Sequence, residues 1–279
     1  MTFTELKLIK PLLTALDKKG YKEPSPIQQQ SIPHILLGKD IFGCAQTGTG
    51  KTAAFALPIL QLMDANKKPN QRREIKALIL APTRELATQI SANFKEYGEN
   101  LGFKHAVVFG GVSQFHQVVA IKSGIDILIA TPGRLLDLMQ QGIIKLGSIE
   151  YFVLDEADRM LDMGFINDMK KVIAKLPVKR QTMFFSATAA PNIMKLANTI
   201  LNNPVSVAVN PVSSTATLIK QTVYFVQKTK KSALLKFILE DRKINHVLIF
   251  TRTKHGADKV AKALNAYKIK AEAIHGNKS

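Results

Sequence analysis

Ala45-Gln46-Thr47-Gly48-Thr49-Gly50-Lys51-Thr52 follows the short apolar run Ile41 to Ala45 and precedes Ala53 to Leu62, which has the composition of a helix start. Strand, glycine-bearing loop and helix form the context that a phosphate-binding loop requires. Glycines let backbone N–H groups turn inward around phosphate oxygens, where a Cβ would obstruct them. Lys51 is then placed to reach the β- and γ-phosphates, and the Thr52 hydroxyl to ligate Mg²⁺. The usual first glycine of such a loop is Ala45 here. A glycine-rich turn with an incidental lysine is the competing reading of this octapeptide alone. The stretch implies a nucleoside triphosphate ligand, and the remaining segments must say what is done with it.

Outward from the loop, apolar strand candidates alternate with helical stretches. They are Lys76–Ala81, Ala106–Phe109, Ile125–Ala130, Tyr151–Leu154 and Thr182–Ser186. Short continuous apolar runs separated by helices predict a parallel sheet covered on both faces, an α/β fold. Ligands of such sheets gather at the carboxyl ends of the strands, where the polar motifs of this chain also fall. Asn66 to Arg73, with two lysines, two arginines and Pro69, reads as a solvated loop.

Residues 1–38 read as helical segments broken by turn signals, and 39–204 as the main nucleotide-binding domain. Asn202 to Thr217 carries two prolines and a Ser-Ser-Thr cluster without periodicity, so 205–217 is expected to be a linker. A second βα series then occupies 218–279: strands at Gln221–Val226, Val247–Phe250 and Ala271–Ile274, helices at Lys230–Leu239 and His255–Tyr267. That is a small, partial parallel domain.

The 279 residues carry a formal charge of +18, unevenly spread. From Ser213 to Ser279 there are 14 Lys and Arg against 4 Asp and Glu; the preceding 212 residues hold 25 against 17. Such a balance suits a polyanionic partner, and a solvated basic surface is the other reading of charge alone. The single cysteine, Cys44, rules out an internal disulfide and suits a reducing compartment. No signal peptide is legible at Met1 to Lys10, and no apolar run approaches membrane-spanning length, so a cytoplasmic protein without a membrane partner is expected. The six histidines show no zinc-ligand spacing, which leaves Mg²⁺ as the metal implied.

Tyr151-Phe152-Val153-Leu154-Asp155-Glu156-Ala157-Asp158 is an apolar strand ending in acidic residues. Asp155 at the strand end can hold Mg²⁺ opposite Thr52, and Glu156 can deprotonate or orient a water that attacks the γ-phosphate. Taken alone, the stretch also reads as an acidic surface turn.

Asp155 to Asp158, with Ala45 to Thr52, resembles the signature of the DEAD-box ATP-dependent RNA helicases of superfamily 2, and the spelling is closest to the bacterial RhlE-like group. Further motifs follow in the family's order. Gly20 to Gln28 resembles the adenine-reading Q motif, with Phe3 as the upstream aromatic. Pro82 to Ala87, Gly110-Gly111 and Thr131-Pro132-Gly133-Arg134 resemble its RNA-contacting motifs, and Ser186-Ala187-Thr188 the motif that couples ATP state to unwinding. Val247 to Lys254 resembles the first motif of the family's second domain, with Thr251 as an RNA contact. The resemblance implies a P-loop NTPase domain of RecA-like fold followed by a truncated second RecA-like domain. It implies ATP and Mg²⁺ as cofactors and RNA as partner.

The residue chemistry stands beside that resemblance. The Gln28 carboxamide offers one acceptor and two donors, which suit the N6 and N7 edge of adenine. Tyr21 or Phe3 could stack on the base, although each by itself also reads as core. Thr83, Arg84, Thr131, Gly133 and Arg134 lie just past strand ends, where hydroxyls, guanidinium groups and helix-start N–H groups suit phosphodiester oxygens without reading bases. Gly110 and Gly111 permit close backbone approach. Ser186 and Thr188 are hydroxyls able to bond Asp158 across the cleft. The family's second domain continues beyond a segment like Ile274 to Ser279 and carries an arginine-rich motif that does not occur in these 279 residues. A fragment without that arginine finger, deficient in turnover, is therefore expected. Two alternatives are a nucleotide-gated RNA-binding module without unwinding activity and a DNA-directed superfamily 2 translocase.

Overall fold

The computed structural model describes residues 1–68, 72–209, 220, 222–240, 244 and 246–278. They fall into two compact units, Met1–Val212 and Ser213–Ser279.

In the first unit the elements run α1 (Lys10–Lys18), α2 (Pro26–Leu36), β1 (Ile41–Cys44), α3 (Lys51–Ala65), β2 (Ala77–Leu80), α4 (Arg84–Tyr97), β3 (His105–Val108) and α5 (Phe115–Lys122). They continue with β4 (Ile127–Ala130), α6 (Pro132–Gln140), β5 (Tyr151–Leu154), α7 (Ala157–Asp162), α8 (Ile166–Ile173), β6 (Gln181–Ser186), α9 (Pro191–Ile200) and β7 (Val205–Ala208). The strands make one sheet in the order β3-β4-β2-β5-β6-β1-β7, and every pairing is parallel. Prolines at the starts of α1, α2, α6 and α9 preset the first helical turn, where no N–H is needed.

Strand alternation sorts the core into two layers. Ile41, Ala77, Ile79, Ile127, Val153 and Phe185 face one side, packed with Leu12, Ile27, Phe55 and Ile90 of α1 to α4. Phe42, Leu78, Leu128, Phe152 and Phe184 face the other, packed with Leu135, Met160, Met169 and Ile193 of the later helices. Aromatic pairs seal both layers, Phe55 with Phe185 at 5.6 Å and Phe42 with Phe184 at 5.7 Å between centroids. Gly43 is required between them, because a Cβ there would meet the Phe185 ring at 2.5 Å.

The expected linker needs correction at its start. Val205–Ala208 is β7, an edge strand in parallel register with β1. Of its four residues only Val207 is buried, so its apolar signal is weak and the nearby prolines dominate the reading. Residues 210–217 of the expected linker lie outside the described residues.

The second unit contains a short 3₁₀ turn (Lys228–Lys230) and two helices, α10 (Lys231–Leu239) and α11 (Lys254–Ala266). Both expected helices form. Among the described residues, 222–226, 247–250 and 271–274 form no strand ladder, contrary to expectation. A strand needs a lateral neighbour to satisfy its N–H and C=O groups. Here Phe225 and Phe250 remain 98% and 87% exposed instead of joining a covered sheet.

Candidate nucleotide and nucleic-acid site

The phosphate loop leaves the carboxyl end of β1. Ala45 still belongs to the sheet, since its N–H donates to Ser186 O at 3.0 Å, and its methyl is buried in the core. That explains why alanine serves at this position: the chain turns only afterwards, where Gly48 and Gly50 take φ of 86° and 94°. Gly50 caps α3, and a Cβ there would run into the Gln28 carboxamide. Lys51 is 6% exposed, and its ammonium donates to Ala45 O at 3.0 Å across the curl of the loop. Thr52 stands next to it in the first turn of α3.

Opposite the loop, β5 ends in Asp155 and Glu156, both buried. Burial pushes the Asp155 carboxyl up to about 6, partly opposed by the Lys51 ammonium. A divalent cation would restore the charged form, so the donor set fits Mg²⁺. Among the described residues no group of three or more His, Cys, Asp or Glu could hold a metal. One carboxylate, one hydroxyl and substrate phosphates are the usual Mg²⁺ arrangement. Glu156 takes a left-handed backbone, φ 53° and ψ 51°, which turns its side chain back toward the loop. Its Oε1 accepts from the Thr47 hydroxyl at 2.9 Å and its Oε2 from Arg159 Nη1 at 3.2 Å. Strain at a non-glycine residue of this kind costs about 1–3 kcal/mol and concentrates at functional positions. Arg159 was not singled out in the sequence, although its place three residues after Glu156 on a helix start is the signal that could have found it.

Asp158 is joined to the end of β6, through a different atom from those expected. The Ala187 N–H donates to Asp158 Oδ2 at 3.1 Å, while Ser186 Oγ accepts from the Thr188 N–H at 3.2 Å. Ser186 is wholly buried at the strand end, so its hydroxyl caps its own turn and does not cross to Asp158. Cys44, one strand over, is half-buried with its thiol pushed up by burial.

At the start of α2, Gln28 is 8% exposed and already engaged at both ends of its carboxamide. Its Nε2 donates to Gly50 O at 3.0 Å and its Oε1 accepts from Ser25 N at 2.9 Å. The side chain therefore ties α2 to the phosphate loop. Phe3 is packed into the core, whereas Tyr21 is half-exposed, tilted against Tyr97 at 6.5 Å.

A second cleft, of about 560 Å³, opens over the ends of β2, β3 and β4. Thr83, Arg84, Gly110, Thr131, Gly133 and Arg134, distant in sequence, all line it. Thr83 caps α4 by accepting from Leu86 N at 3.3 Å, and Arg84 is exposed beside Glu85, whose carboxyl it holds below the ordinary range. Arg134 is braced by Val112 O at 3.0 Å and Gln117 Oε1 at 3.4 Å. Gln117, absent from the sequence reading, also clamps both the N–H and the C=O of Phe109, which fixes the strand end before Gly110 and Gly111. Gly111 adopts φ of 80° beside Arg84. The N-termini of α4, capped by Thr83, and of α6, without a side-chain cap, lie at this cleft and favour an anion. Thr251 belongs to the second unit, where its hydroxyl donates to Thr253 O at 2.9 Å near the start of α11.

No helix among the described residues is long and apolar enough to cross a membrane. The family model for "DEAD/DEAH box helicase" matches residues 25–196. The chain is 40% identical over 277 residues to the DEAD-box ATP-dependent RNA helicase CshA of Streptococcus pneumoniae, covering 99% of this chain and 52% of that protein. It is 41% identical to a probable ATP-dependent RNA helicase, vasa-like, of Penaeus vannamei, covering 99% of this chain and 41% of that one. A solved DEAD box protein from the hyperthermophile Methanococcus jannaschii superposes over 100% of this chain and 74% of its own, with TM-score 0.70 and 35% identity. The chain thus spans about half the length of the curated relatives it matches. The match to the family model covers both the phosphate loop and the acidic strand end described above, and the chain belongs to the DEAD/DEAH box helicase family.

Proposed function

We propose that this chain is the ATP-binding part of an enzyme that uses ATP to unwind or remodel RNA. One observation carries the reading. The nucleotide motifs follow β5, β6 and β1, which are contiguous in the sheet, and the phosphodiester motifs follow β3, β4 and β2, also contiguous. The two sets meet where β2 pairs with β5, so one carboxyl edge is divided into a nucleotide half and a strand half.

Lys51 leaves Ala45 O to meet the β- and γ-phosphate oxygens. Thr52 and Asp155 hold Mg²⁺, which when bound supplies charge neutralisation at the phosphates. Glu156, still held by Thr47, frees the oxygen that Arg159 occupies and accepts the proton of the water that attacks the γ-phosphorus, while the bond from that phosphorus to the ADP oxygen breaks. Gln28 presents its carboxamide to adenine while keeping α2 against the loop. Asp158, through Ala187, ties the γ-phosphate side to the end of β6. Thr83, Arg84, Gly110, Gly111, Thr131, Gly133 and Arg134 grip RNA phosphates without reading sequence; within the second unit, Thr251 is an RNA contact by its motif alone. The RhlE-like affiliation rests on the motif spelling from Phe3 to Lys254, and the lone cysteine supports a cytoplasmic setting. No arginine-rich counterpart of the family's finger occurs in these residues, which supports slow turnover by the chain on its own. Such a finger is worth ~10³–10⁵ in rate.

Equilibrium binding of fluorescent ATP and GTP analogues, with and without Mg²⁺, tests the nucleotide half. Magnesium-dependent preference for adenine, lost in Lys51→Ala, is expected. Equal binding of both bases, or an unaffected Lys51→Ala, would overturn it.

A further inference from the structure

The nucleotide and strand-end clefts use the carboxyl edge of the sheet. At the opposite, amino edge of the same unit lies a cavity of about 1220 Å³. Its walls come from the end of α3, the approach to β2 and the residues at the starts of β4, β5 and β6. The lysines and arginines that read in the sequence as a solvated loop after α3 contribute to this wall.

Seven cationic side chains line the cavity against three carboxylates. All three carboxylates are already paired within it. Asp126 pairs with Arg73, while Glu74 and Glu150 both pair with Lys76, at 3.5 and 2.9 Å. Lys67, Lys68, Arg72, Lys179 and Arg180 are left with no ion pair among the described residues. Two of them lean on carbonyls: Lys67 on Leu101 O at 2.9 Å, and Arg180 on Pro177 O at 2.7 Å. The Arg180 Nε is buried with no partner at all among the described residues. Uncompensated like charges around one concavity raise its potential and call for anions.

The placement selects the kind of anion. Arg72 precedes β2 and Lys179 precedes β6, with β5 between those strands, while Lys67 and Lys68 follow α3. Cations drawn from separate chain segments around one cavity suit several phosphates of a chain better than a single phosphate. Phe103 and Tyr151 add apolar surface between the charges, with Lys67 already over the Phe103 ring at 5.2 Å. We propose that this amino-edge cavity is a second binding site for a chain of phosphates, separate from the nucleotide loop and from the strand-end cleft. A phosphodiester backbone and a free polyphosphate share this chemistry.

The test compares the unaltered chain with a Lys68→Glu, Arg72→Glu, Lys179→Glu triple variant, using a labelled oligouridylate and, separately, inorganic tripolyphosphate. All three residues are exposed, and neither family cleft includes them. At low salt the variant should bind oligouridylate at least tenfold more weakly. Its log–log salt slope should fall by about 2, from roughly 0.7 per phosphate contact. Affinity of the variant unchanged for both oligouridylate and tripolyphosphate would overturn the site. Lysine acylation footprinting of the unaltered chain gives an answer independent of the variant's folding. Protection of Lys68 and Lys179 by oligouridylate assigns the site to a strand, and protection by tripolyphosphate alone assigns it to free polyphosphate. Protection by neither refutes the proposal. Arg84→Glu serves as the control for the carboxyl edge, because it weakens the strand-end cleft and leaves the amino-edge footprint in place.

Discussion

The Thr47 hydroxyl donates to Glu156 Oε1 at 2.9 Å, joining the phosphate loop to the acidic strand end across 109 residues of sequence. Arg159 takes the other oxygen of the same carboxylate at 3.2 Å. With both oxygens engaged, Glu156 is aimed by the loop itself. A change at the loop therefore reaches the proposed proton acceptor directly.

Thr47→Val removes this bond while keeping the shape of the side chain. A hydrogen bond to a charged partner is worth roughly 1.5–3 kcal/mol. Single-turnover hydrolysis should slow by about tenfold to a hundredfold, with analogue affinity changed much less. A variant that hydrolyses ATP at the parental rate would show that Thr47 does not position Glu156.

Gln28→Ala loses the bonds to Gly50 O and Ser25 N together. At roughly 1 kcal/mol each, stability should fall by about 2 kcal/mol, a Tm decrease of roughly 4–8 °C. Discrimination between ATP and GTP analogues should collapse in the same variant. Thermal melting and competition binding read the two effects separately, and retained discrimination would remove Gln28 from base recognition.

Arg84 and Arg134 share the strand-end cleft but are held differently. Arg84 is exposed beside Glu85, whereas Arg134 is braced by Val112 and Gln117. Alanine at either should weaken binding of all single-stranded RNA sequences alike and lower the salt slope by about 0.7. The loss should be larger for Arg134, whose guanidinium is preorganised. Binding that changes with sequence would contradict a backbone-only grip.

The first unit is legible in the sequence because its inner strands β2, β4 and β5 are uninterrupted apolar runs and β1 and β6 are apolar at their centres. Tyr151–Leu154 was placed to the residue, and the others to within one or two. β7 escaped because an edge strand buries only one side, here Val207 alone. The strands expected at 247–250 and 271–274 were read from composition, which records apolar character but not whether a lateral partner exists. Among site residues, those belonging to contiguous motifs were legible. Gln117 was not, because it acts on Arg134 and Phe109 through contacts that appear only after folding, whereas Arg159 left only its i,i+3 spacing from Glu156 as a signal. The link from Asp158 to the end of β6 was anticipated, but its donor, the Ala187 N–H, is a backbone group that no residue type announces.

The central claim is that the carboxyl edge couples an ATP site to an RNA track. The most direct measurement is steady-state ATP hydrolysis, with and without single-stranded RNA, by this chain extended to the length of its relatives. The account predicts hydrolysis that depends on RNA, exceeds that of the 279-residue chain, and falls by about 10²–10⁴ in Glu156→Gln, with ATP-analogue binding retained. Hydrolysis indifferent to RNA, or undiminished in Glu156→Gln, would contradict it.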